Sequence, residues 1–303
     1  MKFSLFSDFH HLPGYFMRGT YEDMDFIFRR ALAENASFII HTGDLTHGPS
    51  DDPDFLHFCN HAPLPFYHVL GNHDSDHTLF EETMQLYGLT TGHYFFDCEG
   101  YRFIACDPNY YLLNGEYYHH RTGDFRNPDA ERYFMPPEQL KWLEQTIADA
   151  PHPCILLSHE SFEREADGVK NLMAVRKIIN DANRRKPHSV ILCINGHHHR
   201  DNIRIIDNVC YMEINSTSYE WIDNAYTGFP HELYEKYKGI GHTLMYNDPI
   251  HAIITLEGTT ITVDGMESSM FMGISSEHVT DPEFDLMGRP VTPRVQSTKI
   301  TLA

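Results

Sequence analysis

Five apolar runs in this chain each end in residues able to hold a metal ion or move a proton. Phe3-Ser4-Leu5-Phe6-Ser7 leads into Asp8-Phe9-His10, and Phe38-Ile39-Ile40-His41-Thr42 leads into Gly43-Asp44. Pro65-Phe66-Tyr67-His68-Val69-Leu70 leads into Gly71-Asn72-His73-Asp74. Cys154-Ile155-Leu156-Leu157-Ser158 is followed by His159, and Val190-Ile191-Leu192-Cys193-Ile194-Asn195 by Gly196-His197-His198-His199. Short apolar runs rich in aromatic and β-branched residues, closed by turn signals, read as buried β-strands. Open α/β sheets bind their ligands at the carboxyl ends of such strands. A single histidine at a strand end commonly serves only hydrogen bonding. Five strands delivering carboxylate, amide and imidazole to one edge demand a shared purpose.

Helical patterns alternate with these strands. Residues 21–35 carry Met24, Ile27, Phe28, Ala31 and Leu32 at helical spacing, and residues 50–61 read as a second helix capped by Ser50 or Asp51. A third helix is expected over residues 77–87, ended by Gly88. The βαβαβ rhythm predicts parallel strands with right-handed crossovers, an α/β fold. Further on, Glu99-Gly100, Asp207-Asn208 and Glu257-Gly258 mark hairpins, and helices are expected over residues 136–150 and 169–183. Residues 109–135 and 219–247 show no clear period and are rich in aromatics, so they read as long loops that shape substrate choice, the first either as a lid or as a surface excursion. The stretch from residue 267 is polar and Pro-containing and reads as a tail.

The length of 303 residues suffices for one large domain, and no internal repeat or linker divides it. A formal net charge of −20 argues against nucleic acid as a partner, which requires a basic stripe. Bound divalent cations would offset that charge locally, leaving a small phosphorylated substrate compatible with it. The six cysteines include Cys106, Cys154 and Cys193 in strand runs and form no C-x-x-C pair, which fits buried free thiols in a reducing compartment. The apolar stretch after Lys2 stops at Asp8, too short for a signal peptide, and no run reaches membrane-spanning length. A cytoplasmic protein without membrane contact is the expectation.

Asp8, His10, Asp44, Asn72, His159, His197 and His199 make a mixed oxygen and nitrogen donor set without thiolate. Such a set suits Mn²⁺, Fe²⁺ or Zn²⁺. Seven ligands exceed the needs of one ion, and a carboxylate shared between two ions would accommodate them. Asp44, flanked by Gly43, is the natural bridge. Asn72 could instead cap the following turn, and Asp74 could cap a helix or orient a ring. In an extended segment His198 points away from its neighbours and stays outside the set. His11, His41 and His68 receive no assignment.

In order, Asp8-x-His10, Gly43-Asp44, Gly71-Asn72-His73-Asp74, His159 and Gly196-His197-x-His199 resemble the five motifs of the calcineurin-like metallophosphoesterases, in the form of their non-purple, bacterial phosphodiesterase-like branch. The resemblance implies a four-layer α/β/β/α sandwich with two mixed β-sheets over residues 1–265, and a C-terminal extension, 266–303, packing on or trailing from it. It implies one metal on Asp8, His10, Asp44 and His199 and another on Asp44, Asn72, His159 and His197, with His73 over the phosphate. The implied reaction is attack on phosphorus by a hydroxide held between the metals, with His73 stabilising charge or protonating the leaving group. Many relatives carry an Asp three residues after the bridging Asp, paired with the catalytic histidine, and the purple enzymes carry a Tyr there. Here His47 stands at that position, so Asp74 or His47 is expected to orient His73, or His47 to face the substrate. Similarity to the cyclic-nucleotide and glycerophosphodiester members favours a small phosphodiester. The alternatives are a phosphomonoesterase, in which a cation such as Arg102, Arg121, Arg126, Arg164 or Arg200 would close on the dianion, and a non-catalytic scaffold of the same fold.

Overall fold

The computed structural model describes residues 1–120, 131–222, 225–278 and 292–303. Its first half runs β1 (Lys2–Phe6), α1 (Tyr21–Ala33), β2 (Ile39–Thr42), α2 (Pro53–Asn60), β3 (Phe66–Val69), α3 (Phe80–Leu86), β4 (Tyr94–Cys98) and β5 (Tyr101–Ala105). A small unit of β6 (Tyr110–Leu113), β7 (Glu116–His119) and β8 (Glu131–Arg132) precedes α4 (Pro137–Ala148), β9 (Cys154–Leu157), α5 (Leu172–Arg185) and β10 (Val190–Asn195). Then follow β11 (Asn202–Ile206), β12 (Val209–Glu213), β13 (Tyr219–Trp221), α6 (His231–Lys236), β14 (Thr243–Met245), β15 (Ala252–Glu257), β16 (Thr260–Gly265) and β17 (Thr298–Thr301).

Two six-stranded sheets result, ordered β17-β16-β15-β1-β2-β3 and β11-β12-β10-β9-β5-β4. Both are mixed: β1, β2 and β3 run parallel while β15 lies antiparallel to β1, and β5, β9, β10 and β12 run parallel with antiparallel β4 and β11 at the edges. Strand alternation builds the layers. Phe3 and Leu5 of β1 face the second sheet, where they join Phe103, Ile155, Leu157 and Met212. Phe3 stacks on Phe38 at 5.1 Å between ring centres and meets Phe103 edge-on at 5.3 Å, locking the two sheets. All three rings are essentially buried, and each such burial contributes roughly 1.5–3 kcal/mol.

Phe6 and Ile39 point the other way, onto Met24, Ile27, Phe28 and Ala31 of α1 and Phe55 and Cys59 of α2. Leu156 and Val190 of the second sheet pack on Leu143 of α4 and on Val175 and Ile179 of α5. The order is helices, sheet, sheet, helices, the expected four-layer sandwich. All six cysteines are free.

Several local expectations change. Leu32 is 46% exposed, because the buried stripe of α1 closes at Ala31 and the next residue turns past it. Asp52, not Ser50 or Asp51, caps α2, accepting from the amide of Phe55 at 3.2 Å, with Pro53 at the first helical position. Pro49–Asp51 forms a separate short 3₁₀ turn. The helix expected from residue 77 begins at Phe80, after a 3₁₀ turn over His73–Ser75. The supposed loop 109–135 contains β6, β7 and β8, with residues 121–130 outside the described part. Tyr and His occur on both faces of these strands, so no polar alternation marks them. Within 219–247, β13 and β14 pair and α6 forms. The extension, expected to pack on or trail from the domain, contributes β17, which pairs antiparallel with β16.

Candidate metal centre

β1, β2, β3, β9 and β10 end at one edge, and tight turns there redirect the chain. Asp8, His10, Asp44, His197 and His199 all have positive φ, between 49° and 72°. A non-glycine residue in that region costs roughly 1–2 kcal/mol, so the surrounding hydrogen bonds must hold it. The amide of Asp8 donates to Gly43 O (3.1 Å), that of His10 to Asp44 O (2.9 Å) and that of Gly196 to His159 O (3.0 Å). Two glycines allow the loops to close this far: a Cβ on Gly43 would overlap the His159 ring, and one on Gly196 would overlap Ser7 Oγ and the Asp8 carboxylate.

Six of the seven candidate ligands gather in two groups. In each of Asp8, His10, His199 and Asp44, His159, His197, the donor atoms lie within 4.8 Å of one another. His10 Nε2 lies 3.1 Å from His199 Nε2, and His199 Nε2 lies 3.3 Å from Asp8 Oδ1. In the second group His159 Nε2 is 3.1 Å from Asp44 Oδ2 and 3.2 Å from His197 Nδ1. Asp44 Oδ2 also comes within 3.9 Å of His10 Nε2, which puts this oxygen between the groups.

Several of these side chains have one end tied down. Asp8 Oδ2 accepts from Ser7 Oγ (2.6 Å) and the His197 amide (3.0 Å), His159 Nδ1 meets Thr42 O at 2.7 Å, and His199 Nδ1 meets Tyr219 O at 2.7 Å. These contacts leave Nε2 of both rings to face the cluster, as metal-binding imidazoles do. Asp8 Oδ1 and Asn72 Oδ1 are buried with no hydrogen-bond partner among the described residues. A buried oxygen left so is costly unless an ion or water engages it. The donor chemistry and the two orphaned oxygens fit a pair of divalent cations.

Electrostatics prepares the same atoms. Burial, then the neighbouring His47 and His199, keeps His10 neutral well below its ordinary pKa, and burial followed by His159 does the same for His197. Burial also works against a charge on His159, but Asp44 and Asp8 overcome it and raise its pKa well above normal. Burial opposes ionisation of Asp44, yet His159 and His73 bring its carboxyl down to about 2.

His73 projects beside the cluster. Its side chain keeps 16% exposure, its amide donates to Asp44 Oδ1 at 2.8 Å, and its Nδ1 lies 2.6 Å from Asp76 Oδ2. Neither residue expected to orient it touches its ring nitrogen. Asp74 is committed to the loop, accepting from the amides of Gly71 (2.8 Å), Asp44 (3.0 Å) and Thr46 (3.0 Å) and from Tyr87 OH (2.6 Å). His47 places Nε2 2.9 Å from His10 Nδ1 and Nδ1 3.2 Å from Asp76 Oδ2. Asp76 was the residue missed. Its only sequence signal was a carboxylate three positions after His73, where a 3₁₀ turn brings i and i+3 together.

Other assignments also resolve. His198 pairs with Glu213 at 2.6 Å, outside the cluster. His11 packs against Phe55 and meets Asp52 at 3.0 Å, while His41 and His68 meet each other at 2.9 Å. Arg102 is held by Asp97, Arg164 faces Glu213 and Arg200 pairs with Glu220; Arg121 and Arg126 lie outside the described residues. Aromatics flank the centre: Trp221 lies 6.3 Å from His73 and Tyr133 lies 5.1 Å from His197. Both come from the stretches expected to be loops.

Solved structures share this architecture at low identity. A dimetal phosphatase from Danio rerio aligns over 100% of this chain and 99% of its own, with TM-score 0.60 and 13% identity. The inner-membrane-complex anchor GAP50 of Plasmodium aligns over 100% of this chain and 89% of its own, with TM-score 0.55 and 13% identity. PhoD aligns over 89% of this chain and 68% of its own, with TM-score 0.50 and 13% identity. These likenesses carry the fold. No curated protein sequence matches significantly. The pattern of the calcineurin-like phosphoesterases matches residues 1–201, and the chain belongs to that family.

Proposed function

We propose that this protein hydrolyses a small phosphodiester with two divalent cations, held by Asp8, His10, Asp44 and His199 on one side and by Asp44, Asn72, His159 and His197 on the other. The observation that carries the reading is the meeting of the two donor groups at Asp44 Oδ2, 3.1 Å from His159 and 3.9 Å from His10, with His73 tied to the other oxygen of the same carboxylate. When bound, two such cations supply an activated water and offset the charge gathering on the phosphoryl oxygens. Mn²⁺, Fe²⁺ and Zn²⁺ all suit this donor set.

The chain's own residues do the rest. The His73 amide is bound to Asp44 and its ring centre lies 5.3 Å from that of His10, which puts the imidazole beside the proposed metal cluster. In the metal-free chain burial disfavours its charge, but Asp44 and Asp76 raise its pKa, and the Asp76 carboxylate at Nδ1 supports a ring that donates from Nε2 to a leaving alkoxide. A net charge of −20 speaks for a small substrate over nucleic acid. Among the described residues no helix is long and apolar enough to cross a membrane.

The diester preference rests on the resemblance of Asp8-x-His10 and Gly71-Asn72-His73-Asp74 to the phosphodiesterase members; among the described residues Arg102, Arg164 and Arg200 are engaged with acidic partners, whereas a dianionic monoester favours an added cation. A phosphomonoesterase with the same centre is the second reading. Hydrolysis of bis-p-nitrophenyl phosphate beside p-nitrophenyl phosphate, on metal-stripped protein refilled with Mn²⁺, separates them. Turnover of the diester alone supports the proposal, and turnover mainly of the monoester replaces it with the second reading. Two bound metals without turnover of either would favour a scaffold.

A further inference from the structure

We infer that Asp76 is the positioning residue for His73, and that through His47 the same carboxylate oxygen also fixes the orientation of His10; this rests on the hydrolytic reading above. Three imidazoles converge here. His73 Nδ1 lies 2.6 Å from Asp76 Oδ2, His47 Nδ1 lies 3.2 Å from that same oxygen, and His47 Nε2 lies 2.9 Å from His10 Nδ1. The His47 and His73 rings are 4.6 Å apart, and Asp76 is almost fully buried between them and the loop.

One set of tautomers satisfies these contacts. His10 presents Nε2 toward the cluster, 3.1 Å from His199 Nε2, so its Nδ1 carries hydrogen and donates to His47 Nε2. His47, accepting at Nε2, carries its hydrogen on Nδ1 and donates to Asp76 Oδ2. His73 donates from Nδ1 to that oxygen as well, which turns its Nε2 away from Asp76. Each of these three Nδ1 hydrogens then has one acceptor, and Nε2 of His73 is left to serve the leaving group. Histidines that hold metals usually donate their other nitrogen to a carboxylate or carbonyl. For His10 this carboxylate is reached through a second imidazole.

The sequence explains why such a relay exists. At the position where many relatives carry an Asp that holds the catalytic histidine, this chain has His47. The missing carboxylate is supplied from the other loop, at Asp76, and His47 fills the remaining distance to His10. One oxygen thus serves both the leaving-group donor and a metal-binding ring.

The test is a double-mutant cycle on Mn²⁺-loaded protein, with one diester of a good leaving group (p-nitrophenol) and one of a poor leaving group (phenol). Asp76→Asn should lower kcat about 10–100-fold, the usual range for such supporting carboxylates, and should lower it more for the phenyl ester. In a His73→Ala background at saturating Mn²⁺, Asp76→Asn should add little further loss of kcat, because the arm that runs to His10 through His47 is then read as weaker Mn²⁺ binding and the arm that affects turnover runs through His73. His47→Gln, which keeps the His73–Asp76 contact, should weaken Mn²⁺ binding while preserving the wild-type ratio of the two esters. Equal losses for both esters, or full additivity with His73→Ala, would overturn the assignment. If Asp76→Asn does not fold, an unchanged Mn²⁺ affinity or an altered ester ratio in His47→Gln overturns it instead. Absence of turnover by the loaded wild type overturns the hydrolytic reading and the inference with it, an outcome separate from failure of the variants alone.

Discussion

The backbone amide of His73 donates to Oδ1 of Asp44 at 2.8 Å, so the proposed leaving-group donor and the proposed shared ligand are tied by one hydrogen bond. The other oxygen of Asp44 faces His159 at 3.1 Å. One carboxylate therefore sets the distance between the metal-binding cluster and the ring beside it.

Asp44→Asn should separate these duties. The amide oxygen can still accept from His73, but the charge shared between the two donor groups is gone. Metal content measured by mass spectrometry should fall from two per chain toward one or none, with turnover down by more than about 100-fold. Unchanged metal content and activity would sink the two-metal reading.

His73→Ala should leave metal content near normal, since the ring lies outside the two proposed ligand groups, in a third cluster with His47 and Asp76 whose contacts the hydrogen bonds among these three account for. Turnover should fall by roughly 10²-fold or more, the usual contribution of a positioned acid. A preserved rate would remove His73 from the reaction.

Gly43 and Gly196 touch different halves of the centre. A Cβ at Gly43 meets the His159 ring at a backbone φ of +100°, and one at Gly196 meets Ser7 and the Asp8 carboxylate. Gly43→Ala should impair the metal held by His159, and Gly196→Ala the one held by Asp8, each with a stability loss of about 1–3 kcal/mol. Metal titration followed by calorimetry should show a different one of two binding steps weakened in each variant.

Tyr87→Phe removes a donor 2.6 Å from Asp74 Oδ1 while the carboxylate keeps its three backbone amides. Both residues are buried, so the loss should be about 1–3 kcal/mol in urea denaturation. Burial and the charge of Asp44 push the Asp74 carboxyl up to about 7, and the phenol opposes that rise. The stability deficit of the variant should therefore be larger at pH 8 than at pH 5. A pH-independent deficit would mean that Asp74 stays in one charge state.

Acid should destabilise the metal-stripped fold through histidines outside the proposed ligand set. Burial depresses His251 to about 3, against the opposing hydrogen bond of the Pro249 carbonyl, and burial depresses His68 to about 3. Both stay neutral in the fold while the unfolded chain protonates them below about pH 6.5. Between those values the unfolded state binds more protons, so stability falls as pH falls, by roughly 1.4 kcal/mol per pH unit for each ring. Below about pH 3 their contribution levels off. Urea midpoints at pH 7, 6 and 5 should show this slope, and His251→Gln should reduce it by about 1 kcal/mol per pH unit; an unchanged slope would exclude His251.

The sandwich was legible in the sequence because its signals are local. Apolar runs at strand length, a helical stripe such as Met24-Ile27-Phe28-Ala31, and a ligand-bearing turn after each strand can be read one segment at a time. The candidate ligands could be named for the same reason, each standing next to its own strand end, and six of the seven meet in two groups. Residues 110–113 and 116–119 were not, because strands with aromatics on both faces show no period of two. The role of Asp76 was also hidden: its contact with His73 is short in sequence, but its contact with His47 spans two loops. Sequence alone thus determined the elements, their order and the chemistry at their ends. Tertiary structure decided which atoms of those residues face one another, because left-handed turns at Asp8, His10, Asp44, His197 and His199 are held by hydrogen bonds and packing from distant segments.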